Sequence, residues 1–232
     1  MIRRAGRSWP SSSMANEILT GRQREFLGVF REHDPLVKSF YLTGGTALAA
    51  FYLHHRYSED LDFFSEREVD LLALDVFFNA VKAPLGISKL DFQSSFNRNL
   101  FFCSLGSDVL KVEFTYFPFP RIEPGGRQEG IEIDSAVDIA VNKLFAIYQR
   151  TQARDYVDLY CLCREYGFRI ADLIPQAKAK FDWHIDPLQL GTQFVRAREA
   201  KDMPRMITPI QSEEWQEFFV TEAKKLKGQI LE

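Results

Sequence analysis

Residues Tyr41–Ser65 read YLTGGTALAAFYLHHRYSEDLDFFS, and this stretch decides the fold. Tyr41-Leu42-Thr43 is a short apolar strand that ends in the glycine turn Gly44-Gly45-Thr46. Ala47–His54, rich in Ala and Leu, has the composition of a helix. Asp60-Leu61-Asp62-Phe63-Phe64 alternates acid and apolar side chains. A strand has a period of two, so Asp60 and Asp62 share one face while Leu61 and Phe63 point toward a core. Two such carboxylates repel, and burying both charges is costly unless a cation lies between them. Mg²⁺ (or Mn²⁺) suits the position, as a hard ion held by one or two carboxylates plus phosphate oxygens. The glycines let the backbone approach a phosphate closely, and the helix after them turns its free N–H groups and positive dipole end toward that anion. Turn, helix and paired-acid strand in this order form a layout for metal-assisted nucleotide chemistry. Asp60 and Asp62 would be the metal ligands, with Gly44, Gly45 and Thr46 around the β and γ phosphates of an NTP.

Just before the acids, Arg56 is placed to meet phosphate or to pair with Asp60. Ser58 falls on the acid face two residues earlier, where it can hydrogen-bond a metal-bound water or a phosphate. His54 and His55 finish the helix, where cations suit the dipole.

Leu42–Ala49 (LTGGTALA) together with His55–Phe64 (HRYSEDLDFF) resembles the AbiEii/AbiGii toxin family, a branch of the DNA polymerase β-like minimal nucleotidyltransferases. The resemblance returns at Lys143 and at Arg154-Asp155-Tyr156-Val157-Asp158-Leu159. It implies an α+β fold: a mixed sheet with helices, followed by a helical C-terminal domain. It also implies a third metal-binding carboxylate on a neighbouring strand, which falls on Glu113. The competing reading of Glu113 is a solvated strand-face residue beside Lys111. By the same resemblance Lys143 binds the triphosphate, and Asp155 or Asp158 orients it or the acceptor. The alternative there is a salt-bridge cluster between helices. Lys143 sits on the apolar side of its helix and needs an anionic partner, either bound NTP or a site carboxylate. With NTP as the partner, losing its charge would leave stability level or higher.

Around this centre, Thr20–Glu32 is expected to be a helix capped by Thr20, and Asp70–Lys82 another, stopped by Pro84. Ile87–Phe92, Asn99–Ser104 and Val109–Phe117 alternate as strands. Pro118–Gly130, with Pro118, Pro120, Pro124, Gly125, Gly126 and Gly130, reads as a linker or mobile loop. Helices follow over 135–150, 151–166, 170–181, 187–201 and 212–231. The expected organisation is a flexible leader over residues 1–14 with Met14 as a candidate initiator, a nucleotidyltransferase domain over 15–130, and a helical domain over 131–232.

Composition limits the function. With 46% hydrophobic and 26% charged residues in 232, the chain can bury a real core. A net charge of −3 argues against broad, nonspecific nucleic-acid binding, so any RNA contact must be local and shaped, and DNA is not an expected partner. Cys103, Cys161 and Cys163 follow no metal-ligand spacing and read as buried thiols of a cytoplasmic protein. No apolar run reaches the roughly 18 residues of a membrane span. Trp183, Trp215 and the phenylalanines read as core.

The chemistry expected is transfer of an NMP from an NTP, with release of pyrophosphate. The family implies a toxin of a toxin–antitoxin or phage-defence system, with a cognate antitoxin protein as partner and RNA, particularly a tRNA 3′ end, as acceptor. Two alternatives stand beside it: NMPylation of a protein Ser, Thr or Tyr, and a nucleotide-binding regulator that transfers nothing. A basic groove beside the acids would favour RNA, and a shallow neutral cleft a protein.

Overall fold

The computed structural model describes residue 15 and residues 17–230, so the leader expected over 1–14 lies outside the described residues. Helix α1 (Gly21–Phe30) starts where Thr20 and Gln23 cap each other reciprocally, side chain to backbone in both directions. A short helix α2 (Asp34–Val37) leads into β1 (Tyr41–Thr43). The glycine turn is itself the first turn of α3 (Gly44–Leu48), and the expected Ala47–His54 helix widens into a π-helical turn over Ala49–Leu53. An i→i+5 bond from the His54 amide to the Ala49 carbonyl closes that turn. His54 then reverses the chain in the left-handed region at φ 54°. That reversal carries His55 and Arg56 inward instead of leaving His55 as a helix end.

Strand β2 (Leu61–Ser65) pairs antiparallel to β1 and parallel to β5 (Asp108–Tyr116). Helix α4 (Leu71–Val81) is capped by Asp70, and β3 (Lys89–Ser95) and β4 (Arg98–Leu105) complete a meander with β5. The Pro/Gly stretch expected as a linker supplies β6 (Gly126–Gln128), which pairs with β7 (Ile131–Ile133). β7 in turn lies parallel to β1, giving a seven-stranded sheet in the order β3-β4-β5-β2-β1-β7-β6. The sheet therefore draws on residues from both sides of position 130. Three residues are too few to show alternation amid the prolines and glycines of this stretch.

Five helices follow: α5 (Ala136–Gln149), α6 (Ala153–Tyr166), α7 (Ile170–Phe181), α8 (Pro187–Val195) with a 3₁₀ turn over Arg196–Glu199, and α9 (Ser212–Ile230). Ser135 caps α5, and Gly167 at φ 69° ends α6, a conformation that costs glycine nothing.

What positions the site is the aromatic core under one face of the sheet. The rings of Phe63 (β2) and Phe114 (β5) lie 5.1 Å apart and nearly parallel, and Phe30 of α1 packs 4.4 Å from Phe63. Burying these rings locks the β2–β5 register. Every side chain between them must then face the opposite side of the sheet, and those are the acids. Trp215 is fully buried as expected, whereas Trp183 is 57% exposed and is not core. It follows the left-handed Asp182 that ends α7, so its side chain leaves the helical packing.

Candidate active-site cleft

A cleft of about 400 Å³ opens on the polar face of the sheet, between β1, β2 and β5 on one side and α5 and the start of α6 on the other. Gly44, Gly45, Arg56, Ser58, Asp60, Asp62, Glu113, Lys143 and Asp155 all line it. Thr46 and Asp158 do not. Thr46 is buried and donates its hydroxyl to the Asp60 carbonyl, so its side chain braces the acid strand. Asp158 lies fully buried behind Arg56 and Lys143.

Leu61 and Phe63 are wholly buried, while Asp62 looks into the cleft. The parallel β2–β5 register sets Asp62 directly beside Glu113, and the antiparallel β1–β2 register sets it beside Thr43. Burial, then the charges of Glu113 and Asp60, push the Asp62 carboxyl up to about 6. It has no ion-pair partner among the described residues. Gly44, at φ 71°, packs so tightly on it that a Cβ there would sit 2.4 Å from Asp62 Oδ2. At Gly45 a Cβ would lie 2.4 Å from Arg56 Nη2 and 2.9 Å from Ser58 Oγ. The glycines are thus needed to let the acids and Arg56 close around the turn.

The other two acids have cations of their own. Lys111 Nζ lies 2.7 Å from Asp60 Oδ2. Arg98 grips Glu113 with both arms of its fork, at 2.6 Å each, and Thr115 donates to the same carboxylate at 2.8 Å. Burial raises the Glu113 pKa, but those bonds and the charges of Arg98 and Lys111 outweigh it and hold the carboxyl below its ordinary value. Lys111 therefore pairs directly with Asp60, and Arg98, the first residue of β4, is the ion-pair partner of Glu113. Among the described residues no three His, Cys, Asp or Glu side chains converge as a metal cage. The donor set fits a hard divalent ion through Asp60 and Asp62, where mutual repulsion leaves room for positive charge. At Glu113 both carboxylate oxygens already accept from Arg98.

Behind the cleft lies a buried ion network that joins α5, α6 and the segment before β2. Lys143 Nζ is 2.8 Å from Asp155 Oδ1 and 2.8 Å from Asp158 Oδ2. Arg150 reaches Asp155 at 2.9 Å, and Arg56 makes a bidentate pair with Asp158 at 2.7 and 2.8 Å. His55 Nε2 adds a contact to Asp158 at 2.8 Å. Burial disfavours all these charges, yet the attraction wins. Asp155 is held below the usual carboxylate range by Lys143 and Arg150, Asp158 well below it by Arg56 and Lys143, and the Lys143 ammonium is held above its ordinary value. Arg56 pairs with Asp158, not with Asp60. Lys143 finds its anions in site carboxylates while still lining the cleft, and the salt-bridge reading and the cleft reading both describe it. Sequence gives Arg98, Lys111 and Arg150 no site role and reads His55 only as a helix end, because their partners are set by the folded chain.

The sequence model of the family described as "Nucleotidyl transferase AbiEii toxin, Type IV TA system" matches residues 26–225. The uncharacterized Aquifex aeolicus protein aq_aa25 is 29% identical over 192 residues, which are 82% of this chain and 89% of that one. The Helicobacter pylori protein JHP933 superposes with a TM-score of 0.59 at 24% identity, covering 94% of this chain and 95% of its own. MenT4, a nucleotidyltransferase toxin from Mycobacterium tuberculosis, superposes with a TM-score of 0.57 at 14% identity, covering 93% and 88%.

Proposed function

The chain belongs to the AbiEii nucleotidyltransferase toxin family, and from that premise we propose that it transfers an NMP from an NTP to the 3′ end of an RNA, with tRNA as the first acceptor to test. The observation that carries the reading is Asp62, a cleft carboxylate crowded by two others, in contact with the glycine turn and without a cation of its own. A divalent ion such as Mg²⁺, held by Asp60 and Asp62, would neutralise the phosphate charge and activate the acceptor hydroxyl when bound. Glu113 would join them only where Arg98 releases its fork.

The chain's own residues supply the rest. Gly44 and Gly45 bring backbone N–H groups to the triphosphate without side chains in the way. Ser58 and Lys143 offer a hydroxyl and a cation to its oxygens. Aligned in the cleft, the acceptor oxygen attacks the α-phosphorus in line, forming the O–Pα bond as the bond to the pyrophosphate leaving group breaks and the hydroxyl proton passes to a cleft carboxylate. In this reading the part to about residue 130 carries the acids, and the helical part from 131 carries Lys143 and closes the cleft. A cytoplasmic toxin of a type IV system with a protein antitoxin is the biological setting that the family supports. No helix among the described residues is long and apolar enough to cross a membrane.

The test is incubation with each labelled NTP, Mg²⁺ and total cellular RNA. We expect label in small RNA, lost in the Asp60→Asn/Asp62→Asn variant while its thermal melt stays cooperative. Label entering protein instead would favour NMPylation. No transfer to either acceptor, with NTP still bound, would favour the regulator.

A further inference from the structure

Beside the cleft runs a second groove of about 400 Å³ that shares Arg56, Ser58, Asp60 and Arg154 with it. Its floor is the segment before the acid strand. Its wall is the Lys201–Ile210 segment between α8 and α9, tied down by backbone bonds from Tyr57 N to Arg205 O at 2.9 Å and from Ile207 N to His55 O at 2.8 Å. The two segments are far apart in sequence, so the groove exists only in the folded chain. The Arg205 guanidinium lies 4.1 Å over the Tyr57 ring, making a flat cationic platform. Arg154, exposed at the start of α6, hydrogen-bonds its neighbour Gln152 at 3.2 Å. Neither Arg154 nor Arg205 has a carboxylate partner among the described residues. Of the acids in the groove, Asp202 accepts from the Ala153 amide at 3.0 Å, and Glu59 is exposed. Apart from Tyr57 and Pro204 the lining is polar or charged, which suits a polynucleotide better than the apolar pockets a peptide needs.

We infer that this groove is the acceptor subsite: it takes the terminal nucleotides of a single-stranded RNA, a base stacking on the Tyr57–Arg205 platform and a phosphate meeting Arg154. Unpaired bases are read by stacking on aromatic rings and guanidinium planes, and phosphates by arginine. Asp60 lines both the groove and the cleft, so a chain end seated in the groove can present its terminal hydroxyl to the acids. The inference deepens the RNA-acceptor reading and rests on it. It also reconciles that reading with the net charge of −3, since two arginines and one ring suffice for a short single-stranded end where a duplex would need a broad basic face.

The experiment measures binding of a short 5′-fluorescein single-stranded RNA to the full chain by anisotropy over a salt series, with NTP affinity by calorimetry in parallel. Tyr57→Leu/Arg205→Gln is expected to weaken RNA binding about tenfold or more and leave NTP affinity unchanged. Arg154→Gln is expected to lower the salt slope by about 0.7, the share of one phosphate contact on a single strand. In RNA-labelling assays the Tyr57/Arg205 variant should show a raised KM for RNA with kcat nearly kept. Wild-type RNA affinity and salt slope retained in both variants would overturn the subsite, whatever the enzyme transfers. Arginine-dependent RNA binding with no RNA labelling by wild type would keep the groove as an RNA-binding site but overturn both transfer to RNA and the groove's role as acceptor subsite. Wild type that binds no single-stranded RNA would overturn the subsite outright.

Discussion

Replacing Lys143 with Met keeps the aliphatic stem and removes only the charge, so the variant isolates what the buried ammonium contributes. The ammonium sits 2.8 Å from a carboxylate oxygen of each of two aspartates whose side chains are wholly buried. Breaking a buried pair by removing one partner costs about 3–5 kcal/mol when the remaining charge is left alone. Here it is not left alone: Asp155 keeps Arg150, and Asp158 keeps Arg56 and His55. The cost should therefore fall to about 1–3 kcal/mol, or a melting temperature roughly 3–10 °C lower for a chain of this size. This reverses the expectation that follows if NTP were the only partner, under which stability would hold or rise. Urea unfolding of wild type, Lys143→Met, Asp155→Asn and the double variant would measure the pair directly as a coupling energy. The signs with pH are also set. Asp155 and Asp158 have folded pKa values below their unfolded ones, so their contribution is present above about pH 4 and is lost as pH falls further. Lys143→Met should therefore lose less stability on acidification than wild type. A variant as stable as wild type, with no coupling to Asp155, would refute this account of the network.

Gly44→Ala should cut transfer by an order of magnitude or more while costing only about 1–2 kcal/mol of stability, since the left-handed backbone tolerates Ala poorly and the new Cβ displaces the Asp62 carboxylate; paired activity and melting measurements check both. Asp134 is raised to about 7, chiefly by burial. The folded state thus keeps a proton that the unfolded chain releases near pH 4, and stability falls across that window by up to about 1.4 kcal/mol per pH unit. Asp134→Asn should flatten that decline, which unfolding at pH 5 and pH 7 would read; parallel curves would contradict it. Lys180 pairs with Asp138 at 2.6 Å in a wholly buried setting, so Lys180→Ala should destabilise by about 3–5 kcal/mol, measured in urea. Cys103, Cys161 and Cys163, buried and each pushed up to about 12, should react with a thiol reagent at pH 8 only on unfolding; native-state labelling would contradict their burial.

By itself the sequence determined what local pattern can carry. The period-two alternation at 60–64 announced which face holds the acids, and Thr20 and Asp70 marked helix starts. Gly44-Gly45 announced a close approach of backbone to something. All of these are decided within a few residues, by steric and hydrogen-bonding rules that act along the chain. The tertiary structure alone decided who partners whom. Arg56 and Asp158 are 102 residues apart, Lys111 and Asp60 are 51, and Arg98 and Glu113 meet across the β4–β5 hairpin. It also decided that β6 and β7, each only three residues long, extend the sheet past residue 130, and that Arg205 comes to lie over Tyr57. Coulomb attraction carries no sequence address: any cation can serve any carboxylate, and the choice falls to whichever the strand register and the burial of Phe63 and Phe114 bring within a few ångströms.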